Sequence, residues 1–254
     1  MHVRQSRGTL CTALLLAACN ARRAPEPGAK LTVAAAANLT DVFGEIGRAF
    51  KAKTGVDVVF SYGSTAELAQ QIDNGAPFDL FAAADTKHID SLVKSRKLTA
   101  DTQAIYALGQ LALWIPKGEQ SGIRDLKDLA RQQVRFVSVA QPELAPYGQA
   151  AIEVLKNSHI WEAVQPKVVY ANSISQAKQM AESENADAAF TAYSLVLHDR
   201  GSVLRIDSHL HHPIEQTLAI VALSPRIEHA KQFRSFLLGP DGRTILGKSG
   251  YLLP

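Results

Sequence analysis

The 254-residue chain has only two cysteines, Cys11 and Cys19, and both precede the part that reads as a folded domain. That domain therefore has no disulfide and no thiolate metal site, and its stability rests on its own apolar core. It also lacks an excess of charge. Lys and Arg number 27 against 24 Asp and Glu, and setting aside Arg4 and Arg7 of an N-terminal leader leaves 25 against 24. A near-neutral protein offers no concentrated basic face, which argues against nucleic acid as a partner. No apolar run is long enough to span a bilayer, and no repeat is evident. No nucleophile elbow, zinc-protease, dinucleotide or P-loop motif is recognised, so the reading is not an enzyme.

What is present begins with the leader. Arg4 and Arg7 precede an apolar run over residues 10–18 that reads as a signal-peptide core. It ends in Leu16-Ala17-Ala18-Cys19, which resembles a bacterial lipobox and predicts cleavage before Cys19 with a lipid on its sulfur. An ordinary secretory signal is the simpler alternative. Either way the expected location is outside the cytoplasm, in the periplasm or on the outer face of the membrane. Residues 20–30, with Pro25, Pro27 and Gly28, read as a tether.

The rest of the chain is organised around residues 33–40, V-A-A-A-A-N-L-T. Small residues run into Asn38 and Thr40, and Phe43, Ile46, Ala49 and Phe50 then share one face of a helix that Gly55 ends. A strand turning into a helix N-terminus leaves N–H groups free for an anion; a plain cap by Asn38 or Thr40 explains the same residues. The strand at 56–60 followed by S-Y-G-S-T at 61–65 repeats the arrangement, and adjacent strand ends of this kind are where open α/β sheets bind ligands. Further strands are expected within 76–85 and at 135–140, 168–170, 188–192 and 217–223, with a long apolar segment at 105–115. Helices are expected near 88–94, 125–131, 229–238 and 241–248, and also after Tyr147 and Ser173. This alternation predicts an α/β fold with two lobes, the last segment returning to the first. The expected division is a leader at 1–18, a tether at 19–30, one lobe from 31–108 with 217–254, and the other from 109–216.

Three local features stand apart. Asp79 and Asp85 are candidates for an acid/base pair, but each falls at an element boundary where Asp caps. Tyr147 lies between Pro146 and Gly148, which fix the backbone and aim a phenol towards a cleft. His209, His211 and His212 form an alternative metal-binding cluster, against the plainer reading of a solvated loop.

The ordered motifs A-A-A-N-L-T (35–40), S-Y-G-S-T (61–65), G-A-P-F-D-L-F (75–81), P-E-L-A-P-Y-G (142–148), N-S-I-S-Q-A (172–177) and P-I-E-Q (213–216) resemble the periplasmic molybdate-binding proteins (ModA) of ABC importers. The resemblance runs from Leu31 to Pro254. It implies a type II periplasmic-binding-protein fold with two lobes joined by two crossover strands. It further implies an oxyanion, molybdate or tungstate, in the cleft and a membrane permease as partner, with the binding protein itself a monomer. Carried over by residue, the oxyanion-binding set is Ala37, Asn38, Ser64, Thr65, Tyr147 and Ile174. Many members carry Ser where this chain has Asn38 and Thr65, and several carry Tyr where it has Ala192. Tyr147 then marks the branch that contains Asn and supplies its phenol from another loop.

None of these positions is Lys, Arg, Asp or Glu. A fully deprotonated dianion presents only acceptors, so neutral donors suit it. Phosphate, which retains a proton, is better served by a site with a carboxylate acceptor. Sulfate and thiosulfate share the shape and charge of molybdate, so a receptor for another tetrahedral oxyanion is the alternative within the same class.

Overall fold

The computed structural model describes His2 and residues 30–254. The leader, the proposed lipidation site Cys19 and the tether up to residue 29 lie outside the described residues.

The first sheet is built from alternating strands and helices. β1 (Lys30–Ala36) leads through a 3₁₀ turn at Ala37–Leu39 into α1 (Thr40–Thr54), and β2 (Asp57–Gly63) leads into α2 (Thr65–Asp73). β3 (Leu80–Ala83), α3 (Lys87–Lys94) and β4 (Ala104–Gly109) follow. Gly55 ends α1 in the left-handed region at φ 77°, its N–H donating to Lys51 O at 2.8 Å, a conformation in which a Cβ is costly. Phe43 and Phe50 of α1 pack edge-on against Phe233, with ring centroids 6.1 and 5.2 Å away.

The second sheet begins with β5 (Leu111–Ile115), separated from β4 by Gln110 alone. It continues with β6 (Val137–Ala140), α4 (Pro146–Asn157), α5 (Trp161–Val164), β7 (Val168–Ala171), α6 (Ile174–Glu182), β8 (Ala188–Ala192) and β9 (Ser202–Arg205). The chain then returns to the first sheet as β10 (Ile214–Ile220) and ends in α7 (Ile227–Leu238) and α8 (Pro240–Lys248).

The two sheets have one layout, β2-β1-β3-β10-β4 and β7-β6-β8-β5-β9. In each, three parallel strands are followed by an antiparallel one that has just arrived from the other lobe, β10 in the first and β5 in the second. The inner parallel strands β1 and β3 are covered on both faces, which is why residues 33–37 and 80–84 are apolar without alternation. One continuous apolar cluster runs from Leu31 and Phe43 through Tyr106, Leu111 and Tyr147 to Val139 and Phe190, so the core passes between the lobes.

Several expectations shift. The apolar segment at 105–115 is two strands in different sheets, β4 and β5, because Gln110 turns away to donate to Gly250 O at 2.7 Å. The segment at 125–131 is a 3₁₀ turn (Leu126–Ala130) rather than an α-helix: the Asp128 carboxylate folds back onto the N–H groups of Arg124 and Asp125 at 2.8 and 3.1 Å. The last strand begins three residues earlier than expected, at Ile214, and ends at Ile220. β9 and α5 had no counterpart in the sequence reading.

Candidate functional site

Four helix starts meet at the carboxyl ends of β1, β2, β6 and β7. Two hydrogen bonds tie them across the cleft. Ser175 Oγ donates to Ala37 O at 2.9 Å, bringing the start of α6 to the turn after β1. Ala66 N–H donates to Leu144 O at 3.1 Å, bringing the start of α2 to the loop that enters α4. Ala37 and Ile174 are thus placed together, as are Thr65 and Tyr147.

At α2, the Ser64 side chain accepts from Glu67 N–H at 3.4 Å while Ser64 N–H donates to Glu67 Oε2 at 3.4 Å, a reciprocal cap. With Ala66 N–H spent on Leu144, these contacts leave the N–H of Thr65 at the helix mouth. Thr65 Oγ1 accepts from Ala84 N–H at 3.2 Å, which fixes the oxygen and leaves its proton to donate. Ser64 Oγ is likewise only an acceptor in its cap. Both residues are buried.

At α6, Ser173 Oγ accepts from Gln176 N–H at 3.2 Å. The Gln176 side chain reaches one residue further back than a capping box requires, accepting from Asn172 N–H at 2.7 Å. The N–H of Ile174 stands ahead of these contacts.

Tyr147 is 1% exposed, and its hydroxyl has no hydrogen-bond partner. Such an orphan is costly in a dry interior, so the position calls for an acceptor. Pro146 supplies the first turn of α4, and Gly148 lets that turn press against the Ala140 carbonyl, where no Cβ would fit. The phenol fills the space that a side chain at Gly109 would need, and Gln216 Nε2 lies 3.0 Å from that same point. Burial, with smaller effects from the neighbouring Tyr251 and Tyr106, pushes the Tyr147 hydroxyl well above the ordinary phenol range, so it stays a neutral donor.

Asn38 is 1% exposed, and its carboxamide is committed within the protein. Nδ2 donates to Gln216 Oε1 at 2.8 Å and to Tyr251 OH at 2.9 Å. A carboxamide has two N–H groups, and both are spent within the protein. Gln216 ends the P-I-E-Q motif without a role assigned to it there, and Tyr251 belongs to none of the motifs. The signal for Gln216 was a carboxamide inside a buried apolar strand, β10, where a polar group needs a partner. Tyr251 follows the last helix and carries no local pattern.

The other candidates fall elsewhere. Asp79 accepts from Thr32 N–H (2.7 Å), Ser224 Oγ (2.7 Å) and Arg226 Nε (2.8 Å), a buried structural node. Asp85 caps α3 through His88 N–H at 2.9 Å. The histidines do not converge. His209 Nδ1 pairs with Asp207 Oδ1 (2.8 Å), His211 Nδ1 with His212 O (2.7 Å) and His212 Nδ1 with Glu153 Oε2 (3.0 Å). Among the described residues no group of three or more His, Cys, Asp or Glu side chains is placed to hold a metal ion. One string passed over in the sequence, Gly242 to Ser249, spells G-x-x-x-x-G-K-S. It begins inside α8, where the backbone N–H groups close the helix and no strand precedes it, so it makes no phosphate loop.

The comparisons with known proteins agree with this geometry. The family model described as bacterial extracellular solute-binding protein matches residues 31–252. The chain is 33% identical over 229 residues to the molybdate-binding protein ModA of Rhodobacter capsulatus, covering 90% of each. It is 27% identical over 244 residues to the substrate-binding lipoprotein YvgL of Bacillus subtilis, a putative ABC transporter component, covering 94% of this chain and 93% of that one. The solved structure of the periplasmic molybdate-binding protein of Azotobacter vinelandii superimposes with a TM-score of 0.85 at 31% identity, covering 88% of this chain and 99% of that one. The resemblance carried by the motifs is thus met along the whole described domain, and the two-lobed fold is that of the periplasmic binding proteins. The chain belongs to the family of bacterial extracellular solute-binding proteins.

Proposed function

We propose that this protein captures molybdate outside the cytoplasm and delivers it to the permease of an ABC importer. The observation that carries the reading is the buried Tyr147 hydroxyl, a donor with no protein acceptor, placed among neutral donors at four helix starts. The oxyanion-binding set is Ala37 and Asn38 through backbone N–H, Ser64 through its hydroxyl, Thr65 through both hydroxyl and N–H, Tyr147 through its phenol, and Ile174 through N–H. Each hydrogen bond to a charged group contributes about 1.5–3 kcal/mol. About seven such bonds exceed the roughly 8 kcal/mol of micromolar binding, and the surplus offsets desolvation and the ordering of the lobes. No carboxylate belongs to the set, which disfavours a ligand that keeps a proton. Sulfate is separated by size, because shorter bonds to oxygen would draw it away from some donors in a preformed pocket.

Tungstate, of the same charge and shape, is a second cargo. The L-A-A-C string supports a lipid anchor on Cys19, as does the lipoprotein relative. The anchor would hold a monomeric receptor at the outer face of the membrane. The role is binding rather than catalysis. The test is a thermal-shift screen against molybdate, tungstate, sulfate and phosphate, because a ligand that binds only the native state raises its melting temperature. The reading expects the first two to stabilise most. Equal or larger shifts with sulfate would move the assignment to another oxyanion.

A further inference from the structure

The Asn38 loop is held from three directions. Besides the two bonds donated by its carboxamide, its backbone oxygen accepts from Tyr251 OH at 2.8 Å. Ser194 Oγ lies 3.3 Å from that same oxygen and 3.1 Å from Tyr251 OH. Ser194 sits in the 3₁₀ turn Tyr193–Leu195 directly after β8, in the second lobe. Asn38 and Tyr251 belong to the first.

Tyr251 is itself anchored where the lobes join. Leu252 exchanges both backbone hydrogen bonds with Leu108 of β4 at 2.8 and 3.0 Å, and Gly250 O accepts from Gln110, the residue between β4 and β5. Gly250, at φ +86°, lies against the Tyr193 ring, where an added Cβ would be 2.8 Å from Cδ1. The chain end therefore runs beside the first crossover, joined to it by the single bridge between Leu108 and Leu252, with Tyr251 turned inward and 3% exposed.

We infer that Ser194 is a closure latch: its hydroxyl joins the second lobe to the Asn38 carbonyl and to Tyr251 when the lobes are together, on a loop that Tyr251 already holds within the first lobe. This rests on the reading of the cleft as an oxyanion site and deepens it. Tyr251 and Ser194 act as positioning residues, contributing through Asn38 rather than by touching the anion. Only the Ser194 contacts cross between the lobes, so the effect of Ser194 falls on release, whereas the bonds between Tyr251 and Asn38 lie within the first lobe and hold the loop with the lobes together or apart. Gln216 supports the same loop from the second crossover strand, but it makes no bond to the opposite lobe and so is not part of the latch.

The test compares wild type, Tyr251→Phe, Ser194→Ala and the double variant. Affinity is measured by calorimetry with molybdate, and release by exchange of radiolabelled molybdate. Tyr251→Phe keeps the ring that packs in the core, and Ser194→Ala is a second variant if the first folds poorly. The latch predicts that Ser194→Ala raises the dissociation rate about threefold with the association rate changed by less than about twofold, whereas Tyr251→Phe, which also loosens the loop before binding, lowers affinity through both rates. It also predicts that the double variant falls short of the product of the two single effects on affinity, because Ser194 and Tyr251 contact each other and share the Asn38 oxygen. A purely structural role would lower melting temperatures without this division between rates. Wild-type binding with unchanged release in the variants, or fully multiplicative effects, overturns the latch alone. No binding by wild type overturns the functional reading and the latch with it.

Discussion

The phenol of Tyr147 and the bare Cα of Gly109 share one small space: the hydroxyl stands where any side chain at position 109 would have to go. Tyr147 belongs to the second lobe and Gly109 ends the last strand before the first crossover. The donor is therefore seated at the junction of the lobes, and its position depends on a missing side chain.

Replacing Gly109 with Ala tests that dependence. The Cβ would meet the phenol oxygen and ring, forcing the side chain or the strand to move, and overpacking of this kind costs about 1–3 kcal/mol. Anion affinity should fall with stability. Calorimetry alongside denaturant unfolding measures both, and an Ala variant with unchanged affinity would mean that the phenol is not held there for binding.

Tyr147→Phe separates function from folding. The hydroxyl makes no bond within the protein, so its removal should leave stability unchanged or slightly raised, since a buried unpaired polar group carries a cost. Molybdate affinity should fall by about ten- to a hundredfold, the equivalent of one charge-assisted bond. A large loss of stability with unchanged affinity would assign Tyr147 to packing.

The pH dependence follows from the donors being neutral. Burial pushes the Tyr251 hydroxyl up to about 12, against the lowering effect of its bonds with Ser194 and Asn38, and burial raises Tyr147 and Tyr106 as well. A phenol whose folded pKa exceeds its unfolded value of about 10 keeps its proton in the native state while the unfolded chain releases it. That stabilisation is complete below about pH 10 and is lost as pH rises from about 10 to 12. Melting temperatures should fall across that window. Molybdate affinity should be flat from about pH 6 to 9, and an inflection near 6.5 would point to a histidine in the site.

Asp79 offers a control far from the cleft. Its fully buried carboxylate serves Thr32, Ser224 and Arg226 at the opposite end of the first sheet. Asp79→Asn should cost about 2–4 kcal/mol, moderated by the one-third exposure of the Arg226 side chain. The affinity of the folded fraction for molybdate should not change. Equilibrium unfolding and calorimetry check the pair of outcomes.

The fold was legible where periodicity and punctuation agree. Residues 33–37 announce a buried parallel strand and 56–63 a half-buried one at the sheet edge, and Gly55 stops α1 at the expected position with the expected left-handed backbone. The 105–115 run misled because apolar content marks burial without saying in which sheet, and Gln110 is a single residue. The site was legible in part for the same reason. Thr65, Tyr147 and Ile174 lie at helix starts, which sequence reveals through caps and turn residues. Gln216 and Tyr251 come to the site only through tertiary structure, 178 and 213 residues away from Asn38, and no local pattern encodes a contact at that range. Their presence also changed the reading of Asn38 itself, from a carboxamide offered to the ligand to one that holds the loop offering it.

The most direct test of the account is an isothermal titration of the wild-type protein with molybdate, followed by sulfate and phosphate under the same conditions. The account predicts one site per chain, micromolar or tighter for molybdate, with sulfate at least about tenfold weaker and phosphate without measurable binding. Absence of molybdate binding, or tighter binding of sulfate or phosphate, would contradict it.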